Sequence, residues 1–253
     1  MRAGWVALAA YVAYATARLD FSLERFSVGI GNGVRFIERM LPPRIAQPDS
    51  LLKGLTESLE IAILASFIGI VLSLPLGLLA ARNLMPAWVS WPARAVIALA
   101  RSFHPVIVAI VFVKALGFGA IAGICALVVA TVGFVGKLFA EAIEEISLKQ
   151  VEAVRATGAS FMNVINYGVM PQVFGRFVGF ATYSIDSNLR NSTMVGIVGA
   201  GGIGGTLFSA FQRFDYDFVA AILLSIIAMI MAGEILATWV RGVFLERGKV
   251  DEE

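Results

Sequence analysis

Long apolar runs without charge constrain the fold of this chain more than any other feature. No charged residue occurs between Ile61 and Ala81. A helix that crosses a bilayer needs about 20 such residues, because it must span ~30 Å of hydrocarbon at ~1.5 Å per residue. Hydrophobic residues make up 58% of the chain and charged residues 15%, whereas soluble domains average about 45–50% and about 25%. The chain is therefore predicted to be an all-α membrane protein.

Six segments are predicted to cross the membrane. They are residues 3–18, 55–82, 89–116, 118–137, 173–198 and 217–240. The first has a second interpretation, because an apolar run that follows Arg2 and ends in small residues also resembles a secretory signal; we favour an uncleaved helix. An even number of crossings places both termini on one side. Arginine and lysine are divided almost evenly between the two sets of loops, so the positive-inside rule does not fix which side that is.

Residues 19–50 are not predicted to cross. Phe26, Ile30 and Val34 recur at helical spacing with charged residues on the other faces, a pattern typical of a helix in the membrane interface. Two prolines at 42–43 end this pattern. An ordered linker is the alternative.

Composition argues against several function classes. A single cysteine, Cys125, excludes an internal disulfide, and no Cys/His cluster could hold zinc. A net charge of +2 is too small to indicate nucleic acid. With one histidine and no nucleophile–base pattern, the chain is expected to have no catalytic residue, no metal and no cofactor of its own.

A polar stretch near residue 150 separates two apolar runs. Residues 151–158 read Val-Glu-Ala-Val-Arg-Ala-Thr-Gly, and Gly-Val-Met-Pro begins at residue 168. This spacing resembles the signature of permease subunits of ATP-binding-cassette importers: Glu-Ala-Ala, three residues, Gly, nine residues, Ile, any residue, Leu-Pro. Here Val154, Gly168 and Met170 replace the last alanine, the isoleucine and the leucine.

The loop of residues 138–172 is expected to hold a helix over 141–157, a turn at Gly158 and a second helix over 161–168 capped by Ser160. Pro171 would precede the fifth crossing. The resemblance implies that this loop is cytoplasmic and docks on a separate ATPase. The residues expected to couple to it are Glu152, Ala153, Arg155, Gly158 and Pro171. An ordinary cytoplasmic connection is the alternative.

Residues 199–204 match the pattern G-x-G-x-x-G. That pattern indicates dinucleotide binding only between a strand and a helix, and here it ends a membrane helix, so we reject that interpretation. Glycines also permit tight turns and close helix packing in membranes. Our hypothesis is a turn over 196–205 near the outer gate, built on Gly199, Gly201, Gly202 and Gly204; a tight external loop without a gating role is the alternative.

Ionisable residues inside membrane helices are costly and usually face a partner or an aqueous path. Asp186 and Arg190 are four residues apart, on one helix face, where they either neutralise each other or let Arg190 reach an anionic substrate. Pro105 is expected to kink the third crossing. Glu234 is expected to serve packing or a salt bridge. The predicted pathway residues are Arg101, His104, Asp186, Asn188, Arg190 and Ser192, with Ser187, Asn191 and Thr193 as further polar groups.

Further stretches resemble the permease subunit of phosphonate importers of this class. They are residues 56–62, 74–83, 133–145, 188–190 and 195–204. The resemblance covers residues 51–242 and divides the chain into an N-terminal part (1–50), a permease domain (51–242) and a cytoplasmic tail (243–253). Asp186 stands where a glutamate is expected in this family, which changes the geometry around Arg190.

The resemblance implies a type I ABC importer permease fold in a bacterial inner membrane, with both termini cytoplasmic. The expected partners are a second permease copy, two cytoplasmic ATPases that hold ATP and Mg, an extracytoplasmic binding protein, and lipid. The expected substrates are phosphonate, phosphite or phosphate-ester anions, moved by alternating access. The alternatives are a methionine-type importer, an ATPase-independent secondary transporter, and a membrane scaffold without a pathway.

Overall fold

The computed structural model describes residues 2–19 and 22–246, and all the regular structure in that part of the chain is helical. This confirms the predicted all-α class. The helices are α1 Arg2–Arg18, α2 Leu23–Arg39, α3 Pro48–Ala80, α4 Ala87–Ser102, α5 Pro105–Leu116, α6 Ala120–Glu144, α7 Leu148–Ala156, α8 Phe161–Asn163, a π-helix Val164–Val169, α9 Met170–Ile197, α10 Ile203–Gln212 and α11 Tyr216–Glu246.

Three of the described helices, α3, α6 and α11, are long and apolar enough to cross a membrane, and α4 with α5 would make a fourth if the bent pair is one span. The other two predicted crossings correspond to α1, which has 17 residues, and α9. Helix α9 has 28 residues, but it contains Asp186, Arg190 and several amides and hydroxyls, which lower its hydropathy.

The third predicted crossing is not one kinked helix. It divides into α4 and α5, which are bent by 92° relative to each other. Phe103 and His104 have extended backbones at the break, with ψ near 140°. Pro105 is the cause, because its ring disfavours the helical conformation in the preceding residue and it is well tolerated in the first turn of a new helix.

Helices α3 and α6 pack closely along their length, and α9 packs against both. Small residues permit the close approach. A Cβ on Gly69 would lie 2.5 Å from the Cβ of Thr131, and one on Gly77 would lie 2.7 Å from the ring of Phe139. Membrane helices that contact through small residues gain packing that lipid cannot supply.

The predicted polar loop has more breaks than the sequence suggested. The helix expected over 141–157 ends at Glu144 and restarts as α7. The helix expected over 161–168 is a three-residue turn followed by the π-helix, which runs directly into α9. Ser160 occupies the N-cap position without a side-chain cap hydrogen bond. Pro171 lies in the first turn of α9 rather than before it.

At the opposite end of the bundle, α2 meets the start of α11. The rings of Phe36 and Tyr216 contact edge to face with centroids 5.1 Å apart, and the Arg44 amide donates to the Asp217 carbonyl at 3.1 Å. Residues 23–39 are thus helical, as predicted. The interfacial position of this segment and the division of the chain at residues 50 and 242 stay predictions, and residues 247–253 of the predicted tail lie outside the described part.

Candidate functional site: an exposed short helix and a polar cleft

Helix α7 projects one face to the exterior and buries another. Glu152, Ala153 and Arg155 are exposed, as is Gly158 after the helix, whereas Val151 is buried. Val151 belongs to an apolar cluster with residues from α6, the π-helix and α9, including Phe139, Ile143, Val164 and Val173. The burial of Val151 anchors α7 to the bundle, and its remaining surface is available to a partner.

Gly168, which replaces the expected isoleucine, lies directly beneath α7. A Cβ on Gly168 would lie 3.3 Å from the Cα of Val151, so a side chain at this position would require α7 to move by a few tenths of an ångström. Gly158 has a φ of +77°, a conformation that favours glycine, and it turns the chain away from α7 as predicted. The two glycines together set how closely and at what angle α7 sits on the bundle.

Ion pairs and hydrogen bonds connect the ends of the helices that lie next to α7. Glu144 Oε1 accepts from Arg94 Nη2 at 2.5 Å and from the Arg82 backbone N–H at 2.8 Å. Gln172 Oε1 accepts from the Ser147 amide at 3.0 Å, and Arg176 pairs with Glu145 at 2.5 Å. These contacts join α3, α4, α6 and α9 at the α7 end, so displacement of α7 would be passed to several helices.

A polar cleft of about 260 Å³ lies between α4, α6 and α9. Helix α9 presents a face of hydroxyl and amide groups to it, and α4 contributes one arginine. Its polar lining consists of Arg101, Thr131, Tyr183, Ser184, Ser187, Asn188 and Asn191. Such a lining offers hydrogen bonds to a small polar ligand in otherwise apolar surroundings.

Asn188 is a predicted pathway residue with a structural contact as well. Its Nδ2 donates to Ser66 Oγ at 2.9 Å and to Thr131 Oγ1 at 2.7 Å, which links α9 to α3 and α6. Ser192 was predicted for the pathway too, but it is fully buried, and its hydroxyl donates to the Leu189 carbonyl. It is not among the cleft-lining residues.

Asp186 and Arg190 form an ion pair with each other on α9, and neither lines the polar cleft. The Asp186 side chain is 13% exposed and that of Arg190 44%. Asp186 Oδ1 is buried and has no hydrogen-bond partner within the described residues. The ion pair agrees with mutual neutralisation, and a role for Arg190 toward an anionic substrate stays a prediction.

The two predicted pathway residues at the α4–α5 break have different positions. Arg101 lines the cleft. His104 is exposed and caps α5, with its Nδ1 accepting from the Val106 amide at 3.4 Å, and it lies outside the cleft lining. Thr131, Tyr183 and Ser184 were missed as cleft residues. The signal for Ser184 was present, since 184, 187, 188 and 191 share one helix face.

The glycine-rich segment is a turn at the end opposite α7. Gly199, Gly201 and Gly202 all have φ between +82° and +89°. A Cβ on Gly202 would lie 2.5 Å from Ser58 Oγ, which accepts from the Ile203 amide at 2.9 Å. Gly204 lies in α10, where a Cβ would meet the Thr193 carbonyl oxygen at 2.0 Å. The turn is therefore packed tightly against α3 and α9; its role as a gate stays a prediction.

Comparison with known proteins agrees with this architecture. Residues 73–247 match the model of the family described as binding-protein-dependent transport system inner membrane component. The chain is 42% identical over 210 residues to a phosphate-import permease protein of Mycolicibacterium smegmatis, covering 82% of this chain but 40% of that protein. It is 43% identical over 191 residues to a phosphite transport system permease protein of Stutzerimonas stutzeri, covering 75% of this chain and 70% of the relative.

A solved inward-facing structure of the MetNI methionine ABC transporter shares the fold. It superposes with a TM-score of 0.62 at 25% identity, covering 75% of this chain and 95% of the solved chain. The likeness confirms the predicted type I importer permease fold. Since the family model covers more than half of the chain, the protein is a member of the binding-protein-dependent transport system inner membrane component family.

Proposed function

We propose that this chain is the membrane-spanning permease subunit of an ATP-driven importer of phosphonate, phosphite or related phosphate-type anions. The observation that carries the proposal is α7, a short helix anchored by buried Val151 with Glu152, Ala153 and Arg155 exposed. Its spacing is that of the importer signature. A helix presented in this way can fit a groove on a separate ATPase and pass its motion to the bundle.

The polar cleft supports an anionic substrate. Arg101 faces it together with hydroxyl and amide groups, and the planar guanidinium matches the oxygens of phosphate-like anions. The relatives at 42% and 43% identity carry phosphate and phosphite in their names. Both lines of support point to the same substrate class.

The mechanism we propose is alternating access in a homodimer. Two permease copies would form the pathway at their interface, and a binding protein would deliver the anion on the side of the glycine-rich turn. Two ATPases would dock at α7, and this arrangement would put both termini of the chain in the cytoplasm. ATP and Mg would be held in the ATPases, and this chain would contribute binding groups and motion but no catalysis.

The proposal is tested by uptake into vesicles. The permease is reconstituted with its cognate ATPase and binding protein, and uptake of radiolabelled phosphite, methylphosphonate and methionine is measured with and without ATP. We expect ATP-dependent uptake of at least one of the two phosphorus anions. Uptake of methionine alone would favour the methionine-type function suggested by the shared fold, and uptake without the ATPase would contradict the importer mechanism.

A further inference from the structure

We infer that a second cleft, on the α7 side of the polar cleft, is a binding site for a phosphate-type oxyanion. This basic cleft has a volume of about 470 Å³ and lies between the end of α3, α4 and α6. Its charged lining consists of Arg82, Arg94, Arg101, Lys137 and Glu141. The identity of the anion that moves through this site rests on the proposed function, but the existence of the site does not.

Two of the four cations in the basic cleft are neutralised. Arg94 pairs with Glu144 at 2.5 Å and also donates from Nε to the Ala80 carbonyl at 2.9 Å. Lys137 pairs with Glu141 at 3.3 Å. The carboxylates of Glu144 and Glu141 are thus already paired with cations.

The other two cations, Arg82 and Arg101, take part in none of the ion pairs within residues 2–19 and 22–246. Arg82 donates its backbone amide to Glu144, which leaves its guanidinium for other contacts. The cleft thus holds two uncompensated guanidinium groups, and guanidinium groups bind tetrahedral oxyanions through paired hydrogen bonds.

The depth of Arg101 strengthens the case. A Cβ on Gly133 would lie 2.8 Å from Arg101 Cγ, so Arg101 is level with Gly133, near the middle of α6. An arginine at that depth is costly unless it faces an anion or an aqueous path. An anion that passes Arg101 through a water-filled cleft would supply both the opposite charge and the aqueous path.

Arg101 lines the polar cleft and the basic cleft alike. On α6 the lining of the two clefts follows one helix face, from Ala130 and Phe134 in the polar cleft to Lys137 and Glu141 in the basic cleft. An oxyanion that leaves the polar cleft therefore meets Arg101 first and the remaining cations next. The order of these charges draws the anion toward the α7 end.

The same chemistry could be supplied by a phospholipid headgroup. Trp91 lines the basic cleft and is 67% exposed, and tryptophan is enriched where a membrane meets water. The ligand class is a phosphate oxyanion in both cases, and the source is decided by experiment.

The test has two arms, both with the purified complex of permease and ATPase in nanodiscs. In the first arm the nanodiscs contain phosphatidylcholine, and equilibrium binding of radiolabelled inorganic phosphate is measured. The second arm adds phosphatidylglycerol and counts the molecules retained by native mass spectrometry. The variants are Arg82→Gln and Lys137→Gln. Lys53→Gln, an exposed lysine on the far end of α3, is the matched control, and Lys137→Arg keeps the charge.

We expect Arg82→Gln and Lys137→Gln to weaken binding about tenfold in one arm, while Lys53→Gln and Lys137→Arg do not. Arg82→Gln removes a charge-assisted contact, and Lys137→Gln leaves the Glu141 carboxylate without its partner, where it repels the anion. Loss in the phosphate arm identifies a free oxyanion, and loss in the lipid arm identifies a headgroup. Binding unchanged within about twofold in both arms, or equal loss in Lys53→Gln or Lys137→Arg, would overturn the site. A wild-type complex that transports none of the tested anions would instead count against the proposed function alone.

Discussion

Asn188 on α9 joins Thr131 on α6 and Ser66 on α3 through a single amide nitrogen. The same residue faces the polar cleft, so the lining of the candidate pathway and the packing of three helices share a side chain. A change in the separation of these helices would therefore alter the cleft directly.

Asn188→Ala is expected to destabilise the bundle. Interhelical hydrogen bonds in membrane proteins contribute about 0.6 kcal/mol on average and up to ~1.7 kcal/mol, so losing two should cost about 1–2 kcal/mol. Thermal unfolding in detergent checks this. Asn191→Ala is the control, because within the described residues Asn191 Nδ2 donates a hydrogen bond only to Ser187 Oγ, on its own helix. Equal destabilisation by both variants would refute the bridging role.

Gly168→Val is expected to separate ATP hydrolysis from transport. The Cα of Val151 lies 3.3 Å from the Cβ position of residue 168, so the branched side chain is expected to push α7 away from the bundle. ATPase activity and uptake are measured on the same vesicles. Gly175→Val, on the open side of α9 with nothing within 4 Å of its Cβ position, controls for the loss of a glycine, and coupled transport in Gly168→Val would contradict the packing argument.

Gly133→Ala is expected to impair uptake by pushing α4 away. The added methyl would meet Arg101 Cγ at 2.8 Å and the Ala100 carbonyl carbon at 3.1 Å. Gly136→Ala on the same helix meets its nearest atom at 3.5 Å, an ordinary contact, and should be tolerated. The two variants are compared by uptake at matched membrane abundance, and a Gly133→Ala protein as active as Gly136→Ala would show that Arg101 need not keep its position.

Removing one member of the Asp186–Arg190 pair is expected to be worse than removing both. Arg190→Gln leaves the largely buried Asp186 carboxylate without a partner, whereas Asp186→Asn with Arg190→Gln leaves no buried charge. Thermal stability of the single and double variants gives the coupling between the two residues. Additive losses would mean that the pair contributes nothing in this setting.

The helical class and the presence of a short helix before Gly158 were predictable because both depend on local sequence, whereas the break after Glu144 and the π-helix were not expected. Apolar runs set the long helices, and the spacing around Gly158 indicated α7. The break at Phe103–His104 was expected only as a kink, since Pro105 predicts the disturbance but not a bend of 92°. That angle depends on how α5 packs against α6.

The polar cleft was only partly predictable. Polar residues on α9 could be assigned to the cleft from the sequence. Which of them face α6 depends on how α9 is rotated about its own axis, and the sequence does not fix that rotation. Asp186 and Arg190 illustrate this, since they pair on α9 away from the cleft. Thr131 could not be assigned to the cleft from the sequence, because a single hydroxyl in an apolar helix is common. Only the structure shows that Asn188 donates to it.

The proposed importer mechanism depends most on α7 docking against the ATPase. Cysteine cross-linking tests this in a background where Cys125, the one cysteine of the chain, is replaced by serine. Ala153→Cys on the exposed face of α7 is expected to cross-link to the ATPase in the intact complex, and Lys53→Cys at the other end of the bundle is not. Cross-linking of Lys53→Cys to the ATPase with none from Ala153→Cys would contradict docking at α7.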